Sequence, residues 1–311
     1  MQNGFEPLIT HQTKTLILGS APSVISLKKQ EYYANPGNQF WTLFSEFYQL
    51  SSTQTYPERV QQLLQHRLGL WDVYAKFQRK GSSDQHFITA ELNSLQSLFA
   101  THAIHLIILN GKKAAQMSKQ LPDLQDKLQV VCPSTSGANN AQMSFRKQQW
   151  QIAYQIHQLL TTGVLQNYTL YFGHSPKVRS LAYQLRQTIF VEEQGITATL
   201  EFDQRDADPQ TDYFVLCQQA IPIATIRFQN LDAQTIQPDR FCVAKTFRKL
   251  GIGRDVLTLY EIYARFLGFQ FAQLSAEATA IAFYQSLGYR LISDSYLEDG
   301  ILCCRMQKEL C

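Results

Sequence analysis

The chain has 311 residues, of which 45% are hydrophobic and 17% charged. That is ordinary globular composition, enough for two cores at about 150 residues per domain, and it excludes long disordered or collagen-like stretches. The formal charge of +3 is too small to announce a polyanion partner, but it divides unevenly: residues 1–163 hold 14 Lys/Arg against 9 Asp/Glu, and residues 164–311 hold 14 against 16. Any preference for a polyanion therefore belongs to the first half.

Residues 15–19, Thr-Leu-Ile-Leu-Gly, form an apolar run without alternation, which predicts a strand covered on both faces and ended by the turn formers Gly19-Ser20-Ala21-Pro22-Ser23. Helical periods follow over residues 40–50 and 57–65. Residues 69–73 read as a strand leading into a polar loop at 79–84. A second wholly apolar strand at 104–109 is closed by Asn110-Gly111 and followed by a helix over 112–120. A strand at 129–132, a loop at 133–140 and a helix over 145–160 complete the alternation. The fold class is therefore α/β: a three-layer α/β/α domain around a central parallel sheet. Its ligands should bind at the C-terminal strand ends, where the loops beginning at Gly19, Asn110 and Pro133 converge.

Thr161-Thr162-Gly163 ends the last helix and a new strand pattern starts at residue 167, so the expected domains are 1–163 and 164–311. The second half reads as a helix over 176–193, a hairpin of strands at 212–218 and 221–228, and a strand at 240–244. A helix over 253–267, a strand at 271–276, a helix over 279–287 and a closing strand at 300–307 follow. That order predicts an α+β domain with a mostly antiparallel sheet. The six cysteines, Cys132, Cys217, Cys242, Cys303, Cys304 and Cys311, show no metal-ligand spacing and read as reduced thiols. No charged segment with an apolar core opens the chain, and no run of 18 apolar residues occurs. A cytoplasmic protein without a membrane partner is expected.

Five motifs of the first half stand in a telling order: Gly19–Ser23 after a strand; Tyr32-Tyr-Ala-Asn-Pro-Gly-Asn-Gln-Phe-Trp41; Leu70-Trp-Asp-Val73 with residues 79–84; Asn110-Gly111; and Pro133-Ser-Thr-Ser136. Together they resemble the uracil-DNA glycosylase superfamily, most closely its DNA-deoxyinosine (hypoxanthine) glycosylase branch, over about residues 14–157. The resemblance implies a DNA substrate containing a deaminated base, hypoxanthine or uracil, and a catalytic role for Asn38. Such an enzyme extrudes the base, holds it in a pocket and reads its Watson–Crick edge. Phe40 is the expected stacking face, with Asn110 and Ser20 as further base-binding groups. Ser23, Ser134 and Ser136, at strand-to-helix turns, are expected to meet DNA phosphates. Breaking the N-glycosidic bond needs a positioned water and donors for the departing base, and no metal. An amide such as Asn38 offers both donor and acceptor, although Asn also commonly caps a helix. Asn110 has the plainer reading of a turn residue.

Two departures concentrate the chemistry on Asn38. Mismatch-type uracil glycosylases carry Asn where this chain has Ala21, and classical ones carry His where it has Cys132. Gly137-Ala-Asn-Asn140 occupies the place of the wedge in relatives and contains no bulky apolar residue. Trp71 and Asp72 read as a core residue and a loop-fixing carboxylate.

In the second half, Arg248-Lys-Leu-Gly-Ile-Gly253 fits R/Q-x-x-G-x-G/A between a strand and a helix. With residues 186–195, 201–203, 224–227 and 282–289 it resembles the GCN5-related N-acetyltransferase (GNAT) superfamily, over about residues 168–309. The resemblance implies acetyl-CoA as co-substrate, bound by Val243, Arg248, Leu250, Gly251, Ile252, Gly253 and Arg254. Consecutive N–H groups at a helix N-terminus suit its pyrophosphate. Tyr284 is the expected proton donor to the leaving thiolate, its alternative being a core aromatic. Glu193, Glu201 and Glu277 are candidate carboxylates for an amine acceptor that stays unknown, and Asp212-Tyr213 stands where relatives often show His. The expectation is a bifunctional enzyme; its rival is one active half joined to a non-catalytic DNA-binding or CoA-sensing module.

Overall fold

The computed structural model describes residues 1–51, 53–79, 87–298 and 300–310. The chain divides into two compact units, Met1–Thr161 and Thr162–Cys311.

Four parallel strands form the centre of the first unit, in the order Leu68–Asp72, Thr15–Gly19, Leu106–Asn110 and Leu128–Cys132. The two inner strands are buried at every residue, because both faces of the sheet are covered. One face packs Leu16, Leu18, Ile107 and Leu109 against Leu98, Ala114 and Leu124. An aromatic cluster that includes Phe40, Trp41, Trp150 and Tyr154 fills a second part of the core. The register sets Gly19 opposite Asp72 and Asn110 opposite Cys132, so the strand ends are level and their loops open on one edge.

The helix expected to reach residue 50 spans Phe40–Phe47, because the backbone turns left-handed at Gln49. The helix expected from residue 145 starts earlier and spans Met143–Thr161. A small second sheet was not anticipated: the chain leaves the parallel sheet at Val73, and Tyr74–Arg79 pairs antiparallel with Phe87–Leu92 and with Gln2–Asn3. From residue 80 on, the polar loop expected at 79–84 lies outside the described residues. On the core side, buried His157 donates from Nε2 to the His66 carbonyl at 2.9 Å and accepts from the Thr15 hydroxyl at Nδ1, 2.8 Å away. Burial pushes the pKa of His157, and likewise that of His105, down to about 3.

The sheet of the second unit runs Arg290–Leu291, Ile301–Glu309, Phe271–Glu277, Thr235–Val243, Ile221–Asn230, Tyr213–Gln218, Thr169–Gly173, with Tyr296–Glu298 also pairing Ile301–Glu309. Neighbours are antiparallel except Thr235–Val243 and Phe271–Glu277, which are parallel and paired only at Thr235–Phe271 and Ile236–Ala272. Past those two pairs a cavity opens between the strands. The expected helix over 176–193 is two elements: an α-helix at Pro176–Arg186 and a wide-turned π segment at Gln187–Glu193.

Short helical turns at Ala198–Glu201 and Gln204–Ala207, also unanticipated, are fastened to the sheet by buried charge. Arg186 donates to Glu201 and Asp206, and Arg227 to Asp203 and Asp239. Burial raises the pKa of Asp206, but the Arg186 hydrogen bonds and charge outweigh it and hold the carboxyl below its ordinary range. No helix among the described residues is long and apolar enough to cross a membrane.

Candidate active sites

At the C-terminal edge of the parallel sheet lies a cleft of about 90 Å³, walled by the Gly19–Ser23 turn, Tyr33, Asn38, Asp72, Asn110 and Ser134–Ser136. Asn38 sits just before the helix that starts at Phe40. Its Oδ1 accepts the Phe40 backbone N–H at 2.9 Å, while the N-cap residue itself, Gln39, contributes no side-chain cap. The capping and cleft positions are therefore compatible: one lone pair of the amide oxygen fixes the side chain, and Nδ2 has no hydrogen bond among the described residues.

Phe40 departs from its expected place. It is fully buried, wedged edge-on against Trp41 and Trp150, and its remaining face is covered by Tyr33 at a ring separation of 4.2 Å. Two tyrosines line the cleft, Tyr32 buried and Tyr33 half-buried, and the backbone of Tyr33 sits at φ +57, a conformation uncommon for a bulky residue. Burial, reinforced by the Asp72 carboxylate, raises its phenol well above the ordinary range, so it stays protonated. Asp72, read from sequence as a loop fixer, is buried at the end of its strand with its side chain on the cleft wall. Gly19 makes room for it, since a Cβ there would lie 2.5 Å from Asp72 Oδ1 and 3.4 Å from the Tyr33 hydroxyl.

Asn110 is largely committed to the neighbouring loop rather than free to read a base. Its Oδ1 accepts the Thr135 N–H and its Nδ2 donates to the Thr135 hydroxyl, each at 2.9 Å. Ser23 is likewise engaged: its hydroxyl accepts the Ser26 N–H and donates to Ser26 Oγ, both at 3.0 Å, capping the short Val24–Lys29 helix. Ser20, Ser134 and exposed Ser136 line the cleft. The Cys132 thiol is buried and points to the Gln149 carbonyl, its pKa raised by burial, so it contributes no anion. Gly137 packs backbone to backbone on Gly37, where an added Cβ would meet the Gly37 carbonyl oxygen at 2.9 Å.

The second unit holds a cavity of about 860 Å³ between the parted strands. One wall is the end of Thr235–Val243, whose register against Ile221–Asn230 shifts between Thr225 and Arg227, with Arg240 at φ +47. At the mouth, Gly251 takes a left-handed φ of +84 and starts the helix Ile252–Leu267, so the first N–H groups of a 16-residue helix face outward from that turn. Gly251 and Gly253 line the cavity with Val243, Arg248 and Arg254; Leu250 is exposed, and Ile252 is buried in the core. Arg248 departs from the expected phosphate role. Its Nε donates to the Val243 carbonyl at 2.9 Å, and its two Nη atoms clasp Glu193 at 2.6 and 3.0 Å. Arg254 is the more exposed cation, over Gly251. A glycine turn, a helix N-terminus and a cation at one mouth fit a polyphosphate-bearing co-substrate.

Tyr284 lines this cavity, held edge-on by Phe283 and Tyr289. Burial, then the Glu277 charge, raises its phenol well above the ordinary range, leaving a protonated donor. The three candidate glutamates now separate. Glu193 is tied to Arg248, and Glu201 is buried on Arg186 and Arg240. Glu277 faces the cavity, and among the described residues only Gln194 donates to it, at 3.3 Å. Sequence reasoning missed Tyr33 and Asp72, although both lay inside quoted motifs. It also missed Ser275 and Glu298, hydrogen-bonded to each other on the cavity wall, for which no motif gave a signal.

Comparison with known proteins agrees with both halves. The uracil DNA glycosylase superfamily matches residues 7–158, and the acetyltransferase (GNAT) domain matches residues 190–310. The chain belongs to the uracil DNA glycosylase superfamily through its first half and carries a GNAT domain fused behind it. Within the superfamily it is similar to a hypoxanthine DNA glycosylase of Methanosarcina acetivorans, 34% identical over 156 residues that cover 50% of this chain and 98% of that one. The second half is similar to a candidate acetyltransferase of Bacillus subtilis, 31% identical over 129 residues, 41% of this chain and 87% of that one. It also resembles the crystal structure of a candidate N-acetyltransferase from Lactobacillus plantarum, at 39% identity and a TM-score of 0.45, covering 46% of this chain and 99% of that one.

Proposed function

We propose that the first unit hydrolyses the N-glycosidic bond of a deaminated base in DNA, hypoxanthine before uracil, and that the second transfers an acetyl group from acetyl-CoA to an amine. The observation that carries the first reading is the meeting of an aromatic face, an amide and a carboxylate, Tyr33, Asn38 and Asp72, on one cleft at the strand ends. A base extruded from the duplex stacks on Tyr33. Asn38 holds the water that attacks C1′ of the sugar as the bond to the base breaks and the electron pair leaves with the base, which takes up the proton that the water gives up. Ser134 and Ser136 meet the flanking phosphates. Asn38→Ala is expected to lower base release from deoxyinosine-containing oligonucleotides by about 10²–10³-fold, while its stability falls only by the lost capping hydrogen bond to the Phe40 N–H, about 1 kcal/mol. Turnover equal to the parent protein overturns the assignment.

In the second unit the helix turn at Gly251 and the Arg254 cation bind the phosphates, and the Phe241–Val243 backbone lies along the pantetheine arm. Acetyl-CoA supplies the activated acyl group when bound. Tyr284 Oη donates the proton that the departing sulfur needs, and Glu277 takes up the proton of the incoming amine. Both units are read as catalytic, which makes the chain bifunctional.

A further inference from the structure

Deamination changes more than the exocyclic group of a base. In adenine, ring N1 is an acceptor; in hypoxanthine the same position is an N–H donor. Cytosine N3 and uracil N3 differ in the same way. A pocket that tells the deaminated base from its parent gains from an acceptor-only group on that edge, because a hydroxyl or an amide that is free to turn can suit either partner. Among the cleft side chains, the hydroxyls of Ser20, Ser134 and Tyr33 and the amides of Asn38 and Asn110 all carry donors. Asp72 alone among the described cleft residues is a carboxylate. It is 3% exposed, and its backbone is pinned by the Asn93 amide, which donates to the Asp72 carbonyl at 2.8 Å. Gly19 leaves the space its Oδ1 occupies.

We propose that Asp72 reads the lactam N–H that deamination creates and rejects adenine and cytosine by facing their ring nitrogen lone pair with its own negative oxygen. This rests on the base-excision reading above. Guanine presents the same N–H as hypoxanthine, so the discrimination that Asp72 supplies is against adenine and cytosine.

The test measures binding of the full chain to oligonucleotides carrying non-cleavable 2′-fluoro-arabino inosine or adenosine, alongside excision from ordinary deoxyinosine DNA. The parent protein should prefer inosine over adenosine by about ten- to a hundredfold. The isosteric Asp72→Asn variant, whose amide can donate to adenine N1, should reduce that ratio by about tenfold or more. A purely structural role would lower both affinities together and leave the ratio untouched, which would overturn the proposal. If Asp72→Asn fails to fold, Asp72→Ser is read by the same ratio. A parent protein that neither prefers inosine nor leaves an abasic product removes the excision reading and Asp72's role with it, whereas an unchanged ratio in an active variant removes only the latter.

Discussion

The cleft of the first unit holds about 90 Å³ between walls of hydroxyls and amides, several of which spend their hydrogen bonds on one another. The cavity of the second holds about 860 Å³, and charged side chains line it, from Arg248, which Glu193 clasps, to the Arg227–Asp239 pair. The first is the kind of site that recognises one flat edge with side chains pre-set by their neighbours. On the reading proposed above, the second takes a long, flexible, charged molecule, which the backbone of a parted strand and a helix terminus would hold. Rigidity is invested differently in the two: in the first unit through hydrogen bonds between neighbouring polar side chains, in the second through a charge network built into the cavity wall.

The comparison breaks most severely if the network is not structural. Arg227→Ala removes the buried cation that Asp203, Asp206 and Asp239 share, leaves Asp203 and Asp239 with the longer Arg240 contacts of 3.6 and 3.9 Å, and should destabilise the second unit by about 3–5 kcal/mol. Circular dichroism would register the loss. Tryptophan fluorescence would not, since Trp41, Trp71 and Trp150 all belong to the first unit. Next in size, Tyr284→Phe should slow acetyl transfer by about a hundredfold with acetyl-CoA affinity retained, and full activity would return Tyr284 to a packing role. Tyr33→Ala should raise KM for deoxyinosine DNA by about tenfold through lost stacking, with less effect on kcat. A fall in kcat alone would take the ring off the base-binding wall.

Stability of the first unit against acid gives a separate test. His105 and His157 are held neutral, with pKa values of about 3 against 6.5 when unfolded. Their contribution is complete above pH 6.5 and is lost as pH falls toward 3, because the unfolded chain takes up protons that the core refuses. The urea midpoint followed by tryptophan fluorescence should therefore drop between pH 7 and pH 4.5.

Much of this was legible in the residues. Unbroken apolar runs at Thr15–Gly19 and Leu106–Asn110 identified buried parallel strands, because alternation disappears when both faces are covered. The motif strings named the segments that form the cleft. They did not tell which of two aromatics seven residues apart faces it: Phe40 looks like the ring to stack on, yet the helix it opens turns it inward and leaves the surface to Tyr33. The hydrogen bonds that Asn110 and Ser23 make to their neighbours were hidden for a related reason. Short polar side chains at turns find backbone partners first, and their pairing depends on which loop lies opposite. The hairpin at Tyr74–Arg79 was hidden because nothing local marks where a chain leaves one sheet for another.

The contact between Gly37 and Gly137 sets a limit on redesign. With main chain pressed on main chain, the tip at residue 137 is closed to every side chain larger than hydrogen. Grafting a bulky plug there, to fill the gap an extruded nucleotide leaves behind, would shove the Asn38 loop aside before the plug met a duplex. Such a tool would have to be mounted on a different segment.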